Sequence, residues 1–109
     1  MEAKIDGFKE KLQVGAAAAK LLGHPARMSI IEFLNSQNAC VTGDISAMLP
    51  LSRGTANQHL NMLKDAGWVK GEIQGSRICY CLDHDKIRLD TKHLQTFITN
   101  CTSQTNCMC

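Results

Sequence analysis

Apolar and small residues recur with helical spacing near the start of the chain. Ile5, Phe8, Leu12, Gly15, Ala19 and Leu22 step 3-4-3-4-3 across residues 4–22, which predicts an amphipathic helix. Its GAAAA run keeps one face small, so a second helix can approach closely. Gly23 ends this helix, and Pro25 suits the first turn of the next, over GHPARMSIIEFLN. Met28, Ile31 and Leu34 mark the expected buried side of that second helix. SQNACV is a polar break leading into a short extended piece. Thr42 then suits the cap of a short helix, GDISAML, with Asp44 near its positive end. PLS turns the chain, Ser52 caps RGTANQHLNMLKDAG, and Gly67 closes it. Two β-prone stretches, residues 68–73 and 77–82, flank Gln-Gly-Ser and predict a hairpin. A last helix is expected over residues 90–101, capped by Asp90, with Leu94, Phe97, Ile98 and Cys101 at i, i+3, i+4 and i+7.

The expected class is mainly α with a small β-hairpin. A short helix, a tight turn and a second helix with a polar outer face make a helix-turn-helix, and the hairpin behind it makes a winged helix. The reading assigns residues 1–101 to that domain and residues 102–109 to a flexible cysteine-containing tail. A length of 109 residues with 44% hydrophobic content suits one domain with a modest core. No apolar stretch is long enough for a membrane span, and the first residues lack the basic start and apolar run of a signal peptide. The expectation is a cytoplasmic protein with no membrane partner. In a reducing compartment six cysteines are fillers, metal ligands or redox sensors rather than a disulfide framework. No phosphate-binding loop, His-Glu-x-x-His motif or cysteine-nucleophile signature occurs, so no enzyme is expected.

A net charge of +2 permits nucleic-acid binding without arguing for it, so the placement of charges decides. In the helix after Ser52, Ala56, Leu60 and Leu63 form the inner stripe. Arg53, Thr55, Asn57, Gln58 and Asn61 lie mostly opposite, and no acid occurs on that face before Asp65. Arginine pairs with guanine edges and amides with adenine edges, whereas an ordinary solvated face carries more Glu and Lys. Lys64, Lys70 and Arg77 add positive charge at the helix end and the hairpin. The candidate DNA-binding set is Ser52, Arg53, Thr55, Asn57, Gln58, His59, Lys64 and Arg77. His59 borders the apolar stripe and reads equally as a packed histidine.

GHPARMSIIEFL, LSRGTANQHLNMLKDAGWV and GSRICYCL resemble, in order and spacing, the ArsR/SmtB family of metal- and arsenic-responsive winged-helix repressors. Pro25 and Arg27 match its Pro-x-Arg. Ser52, Thr55, His59, Leu60, Leu63, Ala66, Gly67 and Val69 match its recognition segment, with Trp68 in place of the usual Leu. Arg77, Tyr80 and Leu82 match its wing. The resemblance covers about residues 15–100. It implies a homodimer paired through the first and last helices, bound to an inverted-repeat operator and released by an inducer.

The inducer must come from the residues. Asp90 and His93 match the start of the family's zinc site on the last helix, but the later ligands are missing, with Gln104 at one of those places. Cys40 matches the first cysteine of the family's Cys-Val-Cys motif, and Thr42 breaks the second. Cys79 and Cys81 alternate with Ile78, Tyr80 and Leu82 and read as ordinary strand positions. Cys101, Cys107 and Cys109 remain, a soft three-thiolate set suited to trivalent arsenic or antimony. The expectation is therefore no cofactor for folding and an As(III)/Sb(III) inducer on Cys101, Cys107 and Cys109. Two alternatives stay open. Cadmium or lead would use the same thiols. As in some relatives the chain resembles, Cys40 with Cys101 or Cys107 would sense persulfide or oxidants.

Overall fold

The computed structural model describes residues 7–37, 41–42, 45–74 and 77–103. The elements are α1 (Glu10–Leu22), α2 (Pro25–Ser36), β1 (Val41–Thr42), a 3-10 turn (Ile45–Met48), α3 (Arg53–Asp65), β2 (Val69–Gln74), β3 (Arg77–Leu82) and α4 (His84–Thr102). The strands form one antiparallel sheet in the order β1-β3-β2, with Val69 opposite Leu82 and Gln74 opposite Arg77. This is the expected winged helix-turn-helix: α3 follows a short turn, and the β2–β3 hairpin follows α3.

The core gathers apolar side chains from every layer. Ile30 and Leu34 of α2, Ile45 and Leu49 around the 3-10 turn, and Ala56, Leu60 and Leu63 of α3 meet Trp68 and Val69 at the root of the hairpin. Ala18 adds a contact from α1, and α4 runs along α1. Gly15 sets how close those two helices come. A Cβ there would sit 3.6 Å from the Leu94 backbone nitrogen, so any side chain larger than a methyl meets the α4 backbone. No helix among the described residues is long and apolar enough to cross a membrane.

Several expected details change. Residues 8 and 9 are not helical, and α1 begins at Glu10 without a side-chain cap. Residues 1–6 lie outside the described part. In α2 the buried stripe is Ala26, Arg27, Ile30 and Leu34, whereas Met28 is 56% exposed. Leu34 is buried and Ile31 half-buried as expected, and packing against α3 turns the stripe toward Ile30. Thr42 lies in β1, paired with Cys79 of β3, and the short helix after it is a 3-10 turn at Ile45–Met48; Asp44 lies outside the described residues. The last helix starts six residues earlier than expected, at His84, with the Asp83 carboxylate accepting from the Lys86 amide over 3.0 Å as the cap. Asp90 is therefore mid-helix, and its carboxylate serves a tertiary contact instead. Leu94 packs on the core, but Phe97, Ile98 and Cys101 are exposed on this one chain.

Candidate nucleic-acid interface

Ser52 starts α3 as a true cap. Its Oγ accepts the Thr55 amide at 3.3 Å and donates to Thr55 Oγ1 at 3.0 Å. A capped, acid-free first turn leaves the positive end of the helix dipole available to an anion. With Ala56, Leu60 and Leu63 buried, helical geometry turns Arg53, Thr55, Asn57, Gln58 and Asn61 to solvent, and all five are exposed. The face that sequence assigned to base edges is thus a continuous polar surface on a helix anchored in the core.

The cations around it are already engaged. The Lys64 ammonium stands 5.6 Å from the centre of the Tyr80 ring, within cation–π range. Lys70 pairs with Asp83 at 3.4 Å. Both keep charge beside the hairpin. Arg77 opens β3, but its side chain and the turn at residues 75–76 lie outside the described residues.

His59 has a partner inside the protein. Its Nδ1 lies 2.9 Å from Nη1 of Arg27. A guanidinium only donates, so Nδ1 accepts, and the neutral ring carries its proton on Nε2. The His24 ring lies against it, with centroids 4.2 Å apart. Burial, the His24 charge and the Arg27 charge, in that order, hold the His59 pKa below its ordinary value of 6.5. Arg27 matched a family motif in the sequence but carried no role there. Only the fold shows that it reaches α3.

A second tie joins the hairpin root to α4. The Trp68 indole, 1% exposed, donates to Asp90 Oδ2 at 2.8 Å, and Lys86 Nζ donates to both Asp90 oxygens at 2.7 and 2.8 Å. Burial pushes the Asp90 carboxyl up, but the hydrogen bonds from Lys86 and Trp68 and the Lys86 charge outweigh it, and its pKa falls below 3.8. No spacing rule links residues 68 and 90.

Of the expected thiol ligands, Cys101 is exposed at the end of α4, turned out of the core. Cys107, Cys109 and Cys40 lie outside the described residues. Cys79 is buried at 2% exposure and Cys81 is half-buried, on the strand positions expected for them. Among the described residues no three His, Cys, Asp or Glu side chains are grouped to hold a metal.

Residues 24–70 match the family model described as "Bacterial regulatory protein, arsR family". An uncharacterized HTH-type transcriptional regulator of Methanocaldococcus jannaschii is 30% identical over 79 residues, covering 72% of this chain and 89% of that protein. The chain belongs to the arsR family of bacterial regulatory proteins. This ArsR-family regulator is also 28% identical over 86 residues to a homolog of the cadmium resistance transcriptional regulatory protein CadC from Staphylococcus aureus, covering 79% of this chain and 71% of that one. Its fold matches the solution structure of a homodimeric winged helix-turn-helix DNA-binding domain from Mycobacterium bovis, with a TM-score of 0.55, 18% identity, and coverage of 98% of this chain and 96% of that one. The ArsR-family match spans α2, the 3-10 turn, α3 and the start of β2, which is the segment that builds the polar face.

Proposed function

We propose that this ArsR-family regulator is a homodimeric repressor that reads an inverted-repeat operator with α3 and is released when trivalent arsenic or antimony binds its thiolates. The observation that carries the DNA part is the face of α3 that bears no acid before Asp65, with Arg53, Thr55, Asn57, Gln58 and Asn61 all exposed. Asn57, Gln58 and Arg53 supply base-edge chemistry, while Ser52, Lys64 and Arg77 supply phosphate contacts that set the register. The homodimer reading is supported by the apolar surface that α1 and α4 leave open. Leu12, Gly15, Ala16, Ala19, Leu94 and Phe97 line a groove of about 470 Å³, with Phe97 54% exposed. Two copies paired there would present two α3 helices to successive major grooves, about 34–36 Å apart.

Cys101 is the described member of the inducer site. Its exposure at the end of α4 supports it as a third ligand beside Cys107 and Cys109. Binding displaces thiol protons and ties residues 102–109 to the end of α4, beside the proposed pairing face. Coupling of about 1–3 kcal/mol lowers operator affinity about 5- to 150-fold. Cadmium is the second reading, because it suits the same thiolates and one relative is named for cadmium resistance.

The test is fluorescence anisotropy on an operator enriched by the protein from a random-duplex library, at fixed salt. Arsenite, antimonite, cadmium, zinc and a persulfide donor are titrated against the full chain and against C107S/C109S. Release by arsenite in the full chain, lost in the variant, supports the proposal. Equal release in both removes the tail site, and release by persulfide alone moves the signal to a redox cysteine pair.

A further inference from the structure

Among the described residues, Arg27 is the one charged side chain that is buried, at 8% exposure. Its Nε donates to the Leu21 carbonyl at 2.6 Å and its Nη2 to the Lys20 carbonyl at 3.1 Å, both in the last turn of α1. Nη1 donates to His59 Nδ1 at 2.9 Å and to Met62 Sδ at 3.5 Å, both on α3. None of these contacts is a carboxylate. The charge rests on the negative end of α1, whose last carbonyls lack intrahelical partners. As glue alone this is poor design, since an apolar side chain of similar volume generally holds a core at least as well as a buried cation. What an apolar side chain lacks is direction. The guanidinium is a rigid planar fork, and here its two edges grip two different helices.

We propose that Arg27 is a positioning residue for DNA reading, a clasp that fixes the rotation and pitch of α3 relative to α1. This rests on the proposed reading of DNA by α3. His59 sits mid-helix, between Gln58 and Asn61 of the exposed face, so holding its ring holds the rotation of both neighbours. The α1 end of the clasp belongs to the helix that lines the proposed pairing groove. The clasp therefore refers the reading face of one copy to the face shared with the second. Base-edge hydrogen bonds tolerate only a few tenths of an ångström, whereas attraction to phosphates survives larger shifts. Loss of the clasp then removes specific affinity and leaves non-specific affinity in place.

The experiment measures anisotropy of the full chain on the enriched operator and on a scrambled duplex of equal length, with a thermal melt of each variant. Arg27→Met is expected to weaken operator binding about tenfold or more while scrambled-duplex affinity and its salt slope stay at wild-type values. Arg27→Lys, which keeps the charge but not the fork, is expected to fall between. His59→Asn places an acceptor where Nδ1 stands, and His59→Gln places one where Nε2 stands. The clasp predicts that the Asn variant binds the operator about tenfold more tightly than the Gln variant, with equal scrambled-duplex affinity, a result that needs no Arg27 variant to fold. Equal losses on operator and scrambled DNA, unchanged operator affinity in Arg27→Met, or rescue by Gln rather than Asn overturns the proposal. If the wild-type protein enriches no duplex, the DNA reading itself fails and the clasp with it.

Discussion

Trp68→Phe probes the tie between the hairpin root and α4. Phenylalanine removes the indole N–H that Asp90 accepts at 2.8 Å and part of a ring that is 1% exposed. A hydrogen bond to a charged group contributes about 1.5–3 kcal/mol. Asp90 keeps Lys86 Nζ at 2.7 Å, and its side chain is 24% exposed, so the ammonium and water take over part of the lost bond and the lower end applies. Truncating a buried Trp to Ala is worth about 3–5 kcal/mol, and Phe refills most of that volume, leaving about 1–2 kcal/mol. The destabilisation is then about 2–4 kcal/mol. At about 2.1 cal/mol/K of unfolding entropy per residue, this lowers the thermal midpoint by about 9–17 °C. Far-UV circular dichroism with urea and heat reads it, at one protein concentration because the proposed pairing would make stability concentration-dependent. Asp90→Asn keeps an acceptor for the indole but drops the charge, and the double variant closes the cycle. Trp68→Phe within about 0.5 kcal/mol of wild type, or strict additivity with Asp90→Asn, would mean that the indole–carboxylate bond contributes nothing to stability.

Three further outcomes follow from named contacts. The His59 pKa lies below 6.5 in the fold, so the unfolded chain binds the proton first as pH falls. Stability is full above about 6.5 and is lost as pH drops from there toward the folded value, and urea midpoints of wild type against His59→Asn should show that slope only in wild type. Gly15→Ala should stay near wild-type stability, because its Cβ would meet Leu94 at an ordinary 3.6 Å, while Gly15→Leu forces α1 off α4 at about 1–3 kcal/mol by the same urea assay. Lys64→Ala should weaken operator and scrambled DNA alike and reduce the slope of log affinity against log salt by about 1.

Helix α3 was legible because cap, stripe and polar face agree: Ser52, then Ala56, Leu60 and Leu63 inward, then amides outward. Local signals misled where a partner distant in sequence decided the outcome. Thr42 has cap chemistry, but pairing with Cys79 draws it into β1. Asp90 has cap chemistry too, but Asp83 caps α4 and Asp90 answers to Trp68 and Lys86. Phe97, Ile98 and Cys101 follow a correct helical stripe, yet they are exposed, because periodicity marks an apolar face without saying which surface covers it. Arg27 was visible only as part of a Pro-x-Arg motif. Its four contacts join residues 6 to 35 positions apart, and no spacing pattern encodes them.

Base-edge reading by α3 is separated from attraction to phosphates by the double variant N57A/Q58A. Neither side chain is part of the core, so the fold stays intact. On the enriched operator at fixed salt, the account predicts a loss of about 1–3 kcal/mol per side chain that makes a base-edge contact, with scrambled-duplex affinity unchanged. Wild-type operator affinity in a folded N57A/Q58A protein would contradict it.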